Sequence, residues 1–241
     1  MNVGLWNFVQ IHPFHNPAIK ILNRDENNTI VMDVIILNSK KENKHLLPIE
    51  KIKKLSNVLS AINIDNINKV YILYAQNDNS ISDFLSKKQD YKFNIISKKL
   101  DKETDEFSIL SKINYLVETE KIKNDIAIIT FNCDLSPEFS NLIDYFEAIK
   151  KPIILLKTTQ KKLISKNNEI VLDKDGFVKT IIEHPLNPKS KITSSGVYFI
   201  PKDALFWIKK ISNTGANKTS LDFFIKRLSQ KRKVRGIINK N

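Results

Sequence analysis

Short runs of apolar residues alternate with longer amphipathic stretches from residue 31 to about residue 160. The apolar runs are VMDVIIL (31–37), KVYILYA (69–75), KFNIIS (92–97), DIAIITF (125–131) and PIILLKT (152–158). Runs of this length, rich in β-branched residues and bounded by polar ones, are typical of strands buried on both faces. The pattern therefore predicts five strands in this part of the chain.

Helical periodicity fills three of the gaps between these runs. Apolar residues fall on one helical face over 47–62 and again over 107–117. A third helix is predicted over 136–149, where Ser136 is a suitable N-cap and Pro137 suits the first helical position. Repeated strand–helix–strand units predict a mostly parallel sheet with helices on both faces.

The pattern changes after residue 160. Turn signals at 167–168 (Asn-Asn) and 174–176 (Lys-Asp-Gly) separate short apolar runs and predict antiparallel hairpins. A further strand is predicted over 193–200, two helices follow it, and the last strand covers KVRGII (233–238). This part of the chain is therefore an antiparallel addition to the parallel sheet.

The first 30 residues are predicted to form an added hairpin, roughly 18–23 with 28–32, whose DENN tip suits a turn. No linker, repeat or low-complexity segment interrupts the rest. The predicted organisation is a hairpin extension over 1–30, packed on a single α/β domain over 31–241.

Composition restricts the class of protein. The chain has 241 residues, of which 41% are hydrophobic, so it is long and apolar enough for one substantial core. No apolar run approaches the roughly 20 residues that span a bilayer, and the amino terminus lacks the features of a signal peptide. Cys133 is the only cysteine, which excludes a disulfide framework or a thiolate metal cluster. We therefore expect a cytoplasmic protein without a membrane partner.

The formal charge of +13 has two interpretations. One is an electrostatic footprint for nucleic acid or for phosphorylated small molecules. The other, which we favour, is a lysine-rich solvated surface, because lysine is spread along the whole chain. The densest basic run, QKRKVRG (230–236), has no aromatic residues of the stacking kind, so a nucleic-acid partner is not expected.

Candidate chemistry follows the fourth predicted strand. In open α/β sheets ligands bind beyond the carboxyl ends of the strands, and Asp134 stands just after DIAIITF. An aspartate in this position can hold a divalent cation over phosphates, or it can simply help to cap the helix that begins near Ser136. The neighbouring Cys133 has no histidine placed to activate it, and we interpret it as a packing residue.

Three segments carry a family resemblance: MDVIIL (32–37) with KHLLPI (44–49), IITFNCDL (128–135) and the segment over 169–200. Taken together, they resemble the sugar-1-phosphate nucleotidyltransferases, also called nucleotide-sugar pyrophosphorylases. MDVIIL followed by KHLLPI (44–49) is similar to the opening strand and the P-K-x-L-L-P-V segment of that family. IITFNCDL (128–135) is similar to its strand ending in G-D-x-L. The most specific match is EIVLDKDGFVKTIIEHPLNPKSKITSSGVYFI (169–200), which follows the family pattern through its E-K-P and a-G-i-Y motifs.

The resemblance implies an α/β fold of the glycosyltransferase-A-like Rossmannoid type, with a mostly parallel central sheet and an antiparallel hairpin appendage. It also implies a reaction. In that family a sugar-1-phosphate attacks the α-phosphate of a nucleoside triphosphate, pyrophosphate leaves, and Mg²⁺ and basic side chains neutralise the charge. The implied partners are a nucleotide and a sugar phosphate.

Residue roles carry over only at matching positions. The resemblance implies that Asp134 is a Mg²⁺ ligand and that Lys44 is the catalytic lysine that contacts phosphate. On the sugar side it implies that Glu183, with His184 beside it, holds the sugar, and that Ser195 and Gly196 line its pocket. Lys40 and Lys41 are further candidates for binding phosphate, as point charges in the loop before Lys44.

Departures from the family pattern lie on the nucleotide side. NSKKEN (38–43) stands where the family has a longer glycine-rich loop, and acidic residues at 105–106 replace a second glycine segment. Cys133 and His184 replace a glycine and a lysine, and the motif with the second metal aspartate would begin only after the last strand. We therefore predict a binding or regulatory relative, with catalysis impaired or lost, that acts through a homo-oligomer or a protein partner. The alternative is a working Mg²⁺-dependent nucleotidyltransferase.

Overall fold

The structure, a computed structural model, describes most of the chain from Val31 onward. The described ranges are 31–38, 47–75, 78–87, 90–100, 108–131, 133, 135, 139–164, 167–213 and 220–239. Residues 1–30, predicted as a hairpin extension, lie outside these ranges. That part of the domain organisation remains a prediction.

Nine strands alternate with helices along the described residues. The strands are β1 (Met32–Leu37), β2 (Ile67–Ala75), β3 (Asn94–Leu100), β4 (Asp125–Thr130), β5 (Ile153–Thr158), β6 (Asn168–Leu172), β7 (Val178–Glu183), β8 (Ile192–Ile200) and β9 (Arg235–Asn239). The helices are α1 (Pro48–Ala61), α2 (Asn79–Ser86), α3 (Ile109–Thr119), α4 (Phe139–Ile149), α5 (Lys161–Ile164), α6 (Leu205–Ser212) and α7 (Leu221–Ser229), with a 3₁₀ turn at Lys202–Ala204.

The predicted fold class is confirmed. Seven strands form one sheet in the order β3-β2-β1-β4-β8-β5-β9, and β6 and β7 form a separate antiparallel pair. Within the seven-stranded sheet β8 alone is antiparallel to its neighbours, β4 and β5. The sequence predicted β8 as a strand but not its place inside the sheet, between two parallel strands.

The sheet separates two apolar layers, as continuous apolar strands require. Alternate residues of β1 show the arrangement: Ile35 and Leu37 face the layer with α3, α6 and α7, whereas Val34 and Ile36 face the layer with α1, α2 and α4. All four side chains are buried. Because both faces are covered, no face of β1 is left for solvent.

Local signals in the sequence fix where several helices begin. The Ser108 hydroxyl accepts a hydrogen bond from the Ser111 N–H, and the Ser220 hydroxyl accepts one from the Phe223 N–H, so each serine caps the helix that follows it. Helix α1 begins at Pro48, whose missing N–H costs nothing at that position. These residues explain where the three helices begin.

Two details of the predicted elements are wrong. Leu47 and Ile49, assigned to the apolar face of the first helix, are 62% and 73% exposed, because α1 buries only its later turns against the sheet. The hairpin predicted at 167–168 is absent from the described residues. The preceding residues form α5 instead, and the Asn167 side-chain amide donates to the carbonyl of Leu163.

The second predicted hairpin is confirmed, since β6 and β7 pair in antiparallel register. The Asp173 carboxylate accepts hydrogen bonds from the N–H groups of Asp175 and Phe177, which closes the turn. Gly176 has φ +79° there, a conformation that glycine adopts without strain.

Among the described residues no helix is both long and apolar enough to cross a bilayer; the longest, α1, has 14 residues.

Candidate functional site

The sheet has a topological switch point between β1 and β4, where its strand order reverses. From β1 the chain proceeds to β2 and β3 on one side, whereas from β4 the order continues to β8, β5 and β9 on the other. Ligands of open α/β sheets bind outside the carboxyl ends of the strands at such a point. Asn38 follows β1 and Phe131 follows β4, and the Phe131 N–H donates to the carbonyl of Leu37 across the two strands. These strand ends form the floor of the candidate site.

A bulge in β8 lies beside the end of β4. Ile154 of β5 pairs with Tyr198 and Leu156 pairs with Ser194, so Leu155 alone faces the three residues 195–197. The Ser195 hydroxyl donates to the Leu155 carbonyl at 3.0 Å and so ties the bulge to β5. The Ser195 side chain is therefore buried and structural.

Gly196 is the tightest point of this bulge. Its φ is +89°, and a Cβ placed on it would lie 2.1 Å from Oγ1 of Thr130, the last residue of β4. Only glycine fits both the backbone conformation and the space. The structure thus brings the predicted pair Ser195–Gly196 to the carboxyl end of β4, directly beside Cys133.

A chain of hydrogen bonds leads from this bulge to α7. The Gly196 N–H donates to the Ser194 hydroxyl, which donates to the phenolic oxygen of Tyr198 at 2.8 Å. The Tyr198 hydroxyl in turn donates to Oδ1 of Asp222 at 2.8 Å, and the Asn168 side-chain amide donates to Oδ2 at 2.7 Å. Asp222 therefore joins the bulge of β8 to the first residue of β6.

Asp222 has a raised pKa. Burial is the main cause, hydrogen bonds from Asn168 and Tyr198 oppose it, and the negative charge of Glu183 raises the pKa further. Glu183 is close because it pairs with Asn168 across the β6–β7 ladder. This network was not predicted from the sequence; the only local signal was an aspartate in the first turn of a predicted helix.

Glu183 and His184 lie at the end of β7, and both are exposed. A carboxylate oxygen of Glu183 is 3.6 Å from the ammonium group of Lys226 on α7. His184 has φ +45°, which is uncommon outside glycine, and its N–H donates to the carbonyl of Asn167. The structure thus places the predicted sugar-side residues on two sheets, joined through Asn168 and Asp222.

A second polar cluster occupies the ends of β1 and β2. Asp78, which follows β2, accepts hydrogen bonds from the Asn38 amide at 3.2 Å, the Lys51 ammonium at 2.9 Å and the Ser80 hydroxyl at 2.6 Å. Burial alone would raise the pKa of Asp78, but the hydrogen bonds from Ser80, Lys51 and Asn38 and the charge of Lys51 hold it below its usual value. Sequence reasoning missed this cluster, although polar residues after a buried strand were a usable signal.

Asp78 should make stability depend on pH. A carboxyl whose pKa is lower in the folded state stabilises the fold above the unfolded pKa of about 3.9, and this contribution is lost as pH falls through the folded pKa. We expect Asp78→Asn to unfold more easily at pH 7 and to lose less stability than the wild type between pH 5 and pH 3, as measured by urea unfolding. Asp65→Asn is the control, because Asp65 is an exposed carboxylate whose ion pair with Lys92 is screened by solvent. An equal loss of stability between pH 5 and pH 3 in Asp78→Asn and in the wild type would contradict this expectation.

The remaining predicted site residues lie outside the described ranges: Lys40, Lys41, Lys44 and Asp134. Cys133 is described, and it is buried in the same apolar layer as Val197 and Phe199, which confirms its interpretation as a packing residue. No group of three or more metal-binding side chains occurs in the described part of the chain. The assignment of Mg²⁺ to Asp134 therefore stays a prediction.

Solved structures share this architecture. A UDP-glucose pyrophosphorylase solved with UDP-glucose superposes with a TM-score of 0.66 at 12% identity, over 87% of this chain and 91% of that chain. A Bacillus anthracis protein assigned as a glucose-1-phosphate thymidylyltransferase, solved with sucrose, superposes with a TM-score of 0.69 at 17% identity, over 87% of each chain.

Sequence comparison gives less. No protein-family model matches the chain, and no curated protein matches it. At these levels of identity the structural likeness establishes the fold alone. This chain has the fold of the sugar-1-phosphate nucleotidyltransferases, with the antiparallel strand β8 and its glycine bulge beside the carboxyl end of β4.

Proposed function

We propose that this chain binds a sugar phosphate or nucleotide sugar at the carboxyl ends of β1 and β4, beside β8, and that its nucleotidyl transfer is impaired or lost. The observation that carries the proposal is the bulge at Gly196. It aims the backbone of β8 at the carboxyl end of β4, where ligands of this class of sheet bind. Such bulges are often found next to active sites, where they re-aim the backbone.

The sugar side has a suitable acceptor. The exposed carboxylate of Glu183 can accept hydrogen bonds from two sugar hydroxyls, and Lys226 limits its freedom before a ligand arrives. The hydrogen-bond chain through Asn168, Asp222 and Tyr198 supports a fixed relation between this strand end and the bulge. Fixed polar groups of this kind favour the selective recognition of hydroxyl-rich ligands.

The nucleotide side supports impaired catalysis. A triphosphate needs backbone N–H groups or free cations. Here Asp78 is held ionised beside Asn38, and its ion pair neutralises the charge of Lys51. The sequence offers no glycine between Gly4 and Gly176 with which a loop could wrap phosphates closely. The described ends of β1 and β2 therefore provide a neutralised ion pair rather than an attractive field.

Any transfer that remains would depend on residues beyond the described ranges. In our proposal Asp134 would hold Mg²⁺, whose role is to neutralise the phosphates, and carboxylate oxygen is a ligand that Mg²⁺ accepts. Lys44, with Lys40 and Lys41, would face the phosphates from the loop after β1. Their charges could replace only part of the phosphate contacts that the backbone of a glycine-rich loop supplies.

Calorimetric titration tests the binding proposal. We expect a panel of sugar-1-phosphates and nucleotide sugars to contain at least one ligand, and Glu183→Gln to weaken its binding by about tenfold, the equivalent of one strong charged hydrogen bond. Glu118→Gln is the matched control, because Glu118 is an exposed carboxylate that pairs with Lys209 at 3.2 Å away from the site. Absence of binding across the panel by a folded sample would overturn the proposal.

A pyrophosphate-release assay with Mg²⁺ tests the loss of catalysis. We expect no release above background with nucleoside triphosphates and sugar-1-phosphates in combination. Release that disappears in Asp134→Ala would show a working enzyme instead and would assign Asp134 to the mechanism. Light scattering on the same samples tests whether the chain acts as a homo-oligomer, as a binding or regulatory role would favour.

A further inference from the structure

Three cationic side chains converge on one aromatic ring near the amino-terminal ends of β5 and β9. The ammonium groups of Lys151 and Lys233 lie 5.2 Å and 5.0 Å from the ring centroid of Phe177, and the guanidinium carbon of Arg235 lies 5.4 Å from it. A ring has only two faces, so at least two of the three cations share one. Cation–π attraction holds each group near the ring, but the like charges repel one another.

The fold brings these residues together from separate parts of the chain. Lys151 stands just before β5 and Lys233 just before β9, whose first residue, Arg235, pairs with Ile153. Phe177 precedes β7 and forms a β-bridge with Arg235. Because β5 and β9 are parallel to β1 and β4, their amino-terminal ends lie on the side of the sheet opposite the carboxyl ends of β1 and β4, where the candidate site is. This group, the Phe177 cluster of Phe177, Lys151, Lys233 and Arg235, is therefore separate from the candidate site.

The charge of the Phe177 cluster is not neutralised within the described part of the chain. Its three cations form no ion pair there, whereas the adjacent Lys150 is paired with Asp125 at 2.9 Å. Arg235 donates from one terminal nitrogen to the carbonyl of Asp175, a neutral group, and its Nε is buried without a hydrogen-bond partner. A group of positive charges without ion-pair partners among the described residues is suited to an anion.

We propose that the Phe177 cluster binds an anion with two or more closely spaced phosphate groups. Lysine contacts phosphate as a point charge and arginine through a planar set of donors, so the cluster combines both modes. A single phosphate group carries a charge of about −2 at most near neutral pH, whereas three cations carry +3, so two or more linked phosphates match the charge of the cluster better. An anion there also relieves the repulsion among the three cations. The proposal does not depend on the function assigned to the candidate site.

The test is calorimetric titration of the whole chain with sodium pyrophosphate, without divalent metal. We expect saturable binding that weakens with added salt. The double substitution Lys151→Gln/Lys233→Gln should weaken it by about tenfold or more. The control is Lys87→Gln/Lys123→Gln, which removes the same net charge from two exposed lysines elsewhere and should change the affinity by less than about twofold.

Two outcomes would overturn the proposal. One is equal weakening in the Lys151/Lys233 variant and in the control, which would show non-specific attraction to a basic surface. The other is weakening by Lys51→Gln alone, which would place pyrophosphate at the carboxyl edge of the sheet. A short single-stranded oligonucleotide is the second probe. If the Lys151/Lys233 variant loses more affinity for the oligonucleotide than for pyrophosphate, the phosphates are those of a nucleic-acid backbone. If it loses more affinity for pyrophosphate, the ligand is a free oligophosphate.

Discussion

Gly196→Ala is expected to lower the free energy of unfolding by about 1–3 kcal/mol through backbone strain alone, with a further loss from steric overlap. At φ +89° an alanine is strained whatever space surrounds it, and here its Cβ would lie 2.1 Å from Thr130 Oγ1. The strands β8 and β4 would have to separate at the carboxyl edge. Urea unfolding measures the loss of stability, and titration with any ligand found for the wild type should show that the affinity is lost as well.

Two comparisons separate strain from overlap in this variant. Gly176→Ala has a similar positive φ of +79°, but its Cβ would meet the far end of the Arg235 side chain, which can move, so its cost should be smaller. In a Thr130→Ala background the Gly196→Ala cost should fall toward that of Gly176→Ala, because the overlapping hydroxyl is gone. Equal costs for Gly176→Ala and Gly196→Ala in the native background would show that β8 is not held against β4 as we describe.

Asp222→Ala is expected to destabilise the protein by about 3 kcal/mol, because the substitution leaves the Tyr198 hydroxyl and the Asn168 amide without their shared acceptor. Asp222→Asn keeps the shape and one acceptor oxygen, so it should cost less. In the Asp222→Ala background Tyr198→Phe should cost less than in the wild type, because only the hydrogen bond from Ser194 is then lost and not the one to Asp222 as well. Additive costs for the two substitutions would contradict the coupling.

The pH dependence of Asp222 has the opposite sign to that of Asp78. Because its pKa is raised in the folded state, its contribution to stability is present below the unfolded pKa and is lost as pH rises through the folded pKa. Stability should therefore decline less steeply with rising pH in Asp222→Asn than in the wild type. Unfolding curves between pH 3 and pH 7 measure this slope.

Much of the fold follows from local sequence pattern. Apolar runs placed β1, β2, β4 and β5 to within a residue or two, because a strand buried on both faces must be apolar throughout. The strand predicted over 92–97 was less accurate. The observed strand, Asn94–Leu100, is an edge strand with exposed positions, and its polar residues at 97–99 interrupt the apolar pattern before Leu100. Helix α2 had no prediction, since eight residues with one buried side chain give little periodicity.

Among the described residues of the candidate site, only those on the sugar side were predicted from the sequence. Family resemblance singled out the Ser-Gly pair at 195–196 and Glu183, whose roles stay predictions. In the structure the Gly196 N–H begins the hydrogen-bond chain that leads to Asp222 and Asn168, and Glu183 pairs with Asn168. The Asp78 cluster escaped prediction because its members follow different strands and meet only when β1 and β2 become neighbours. The Phe177 cluster was not predicted for the same reason, because its members meet only when β5 and β9 are neighbours in the sheet.

The sequence by itself determined that this chain is an α/β protein with buried strands, capped helices and an antiparallel hairpin, because periodicity, capping residues and turn residues act over a few neighbouring positions. Only the tertiary structure decided that β8 enters the sheet between β4 and β5, that its bulge presses Gly196 against Thr130, and that charged groups distant in sequence meet at two opposite edges. The physical reason is that strand order is set by the packing of whole layers, and no local pattern of residues specifies which strand will lie beside which.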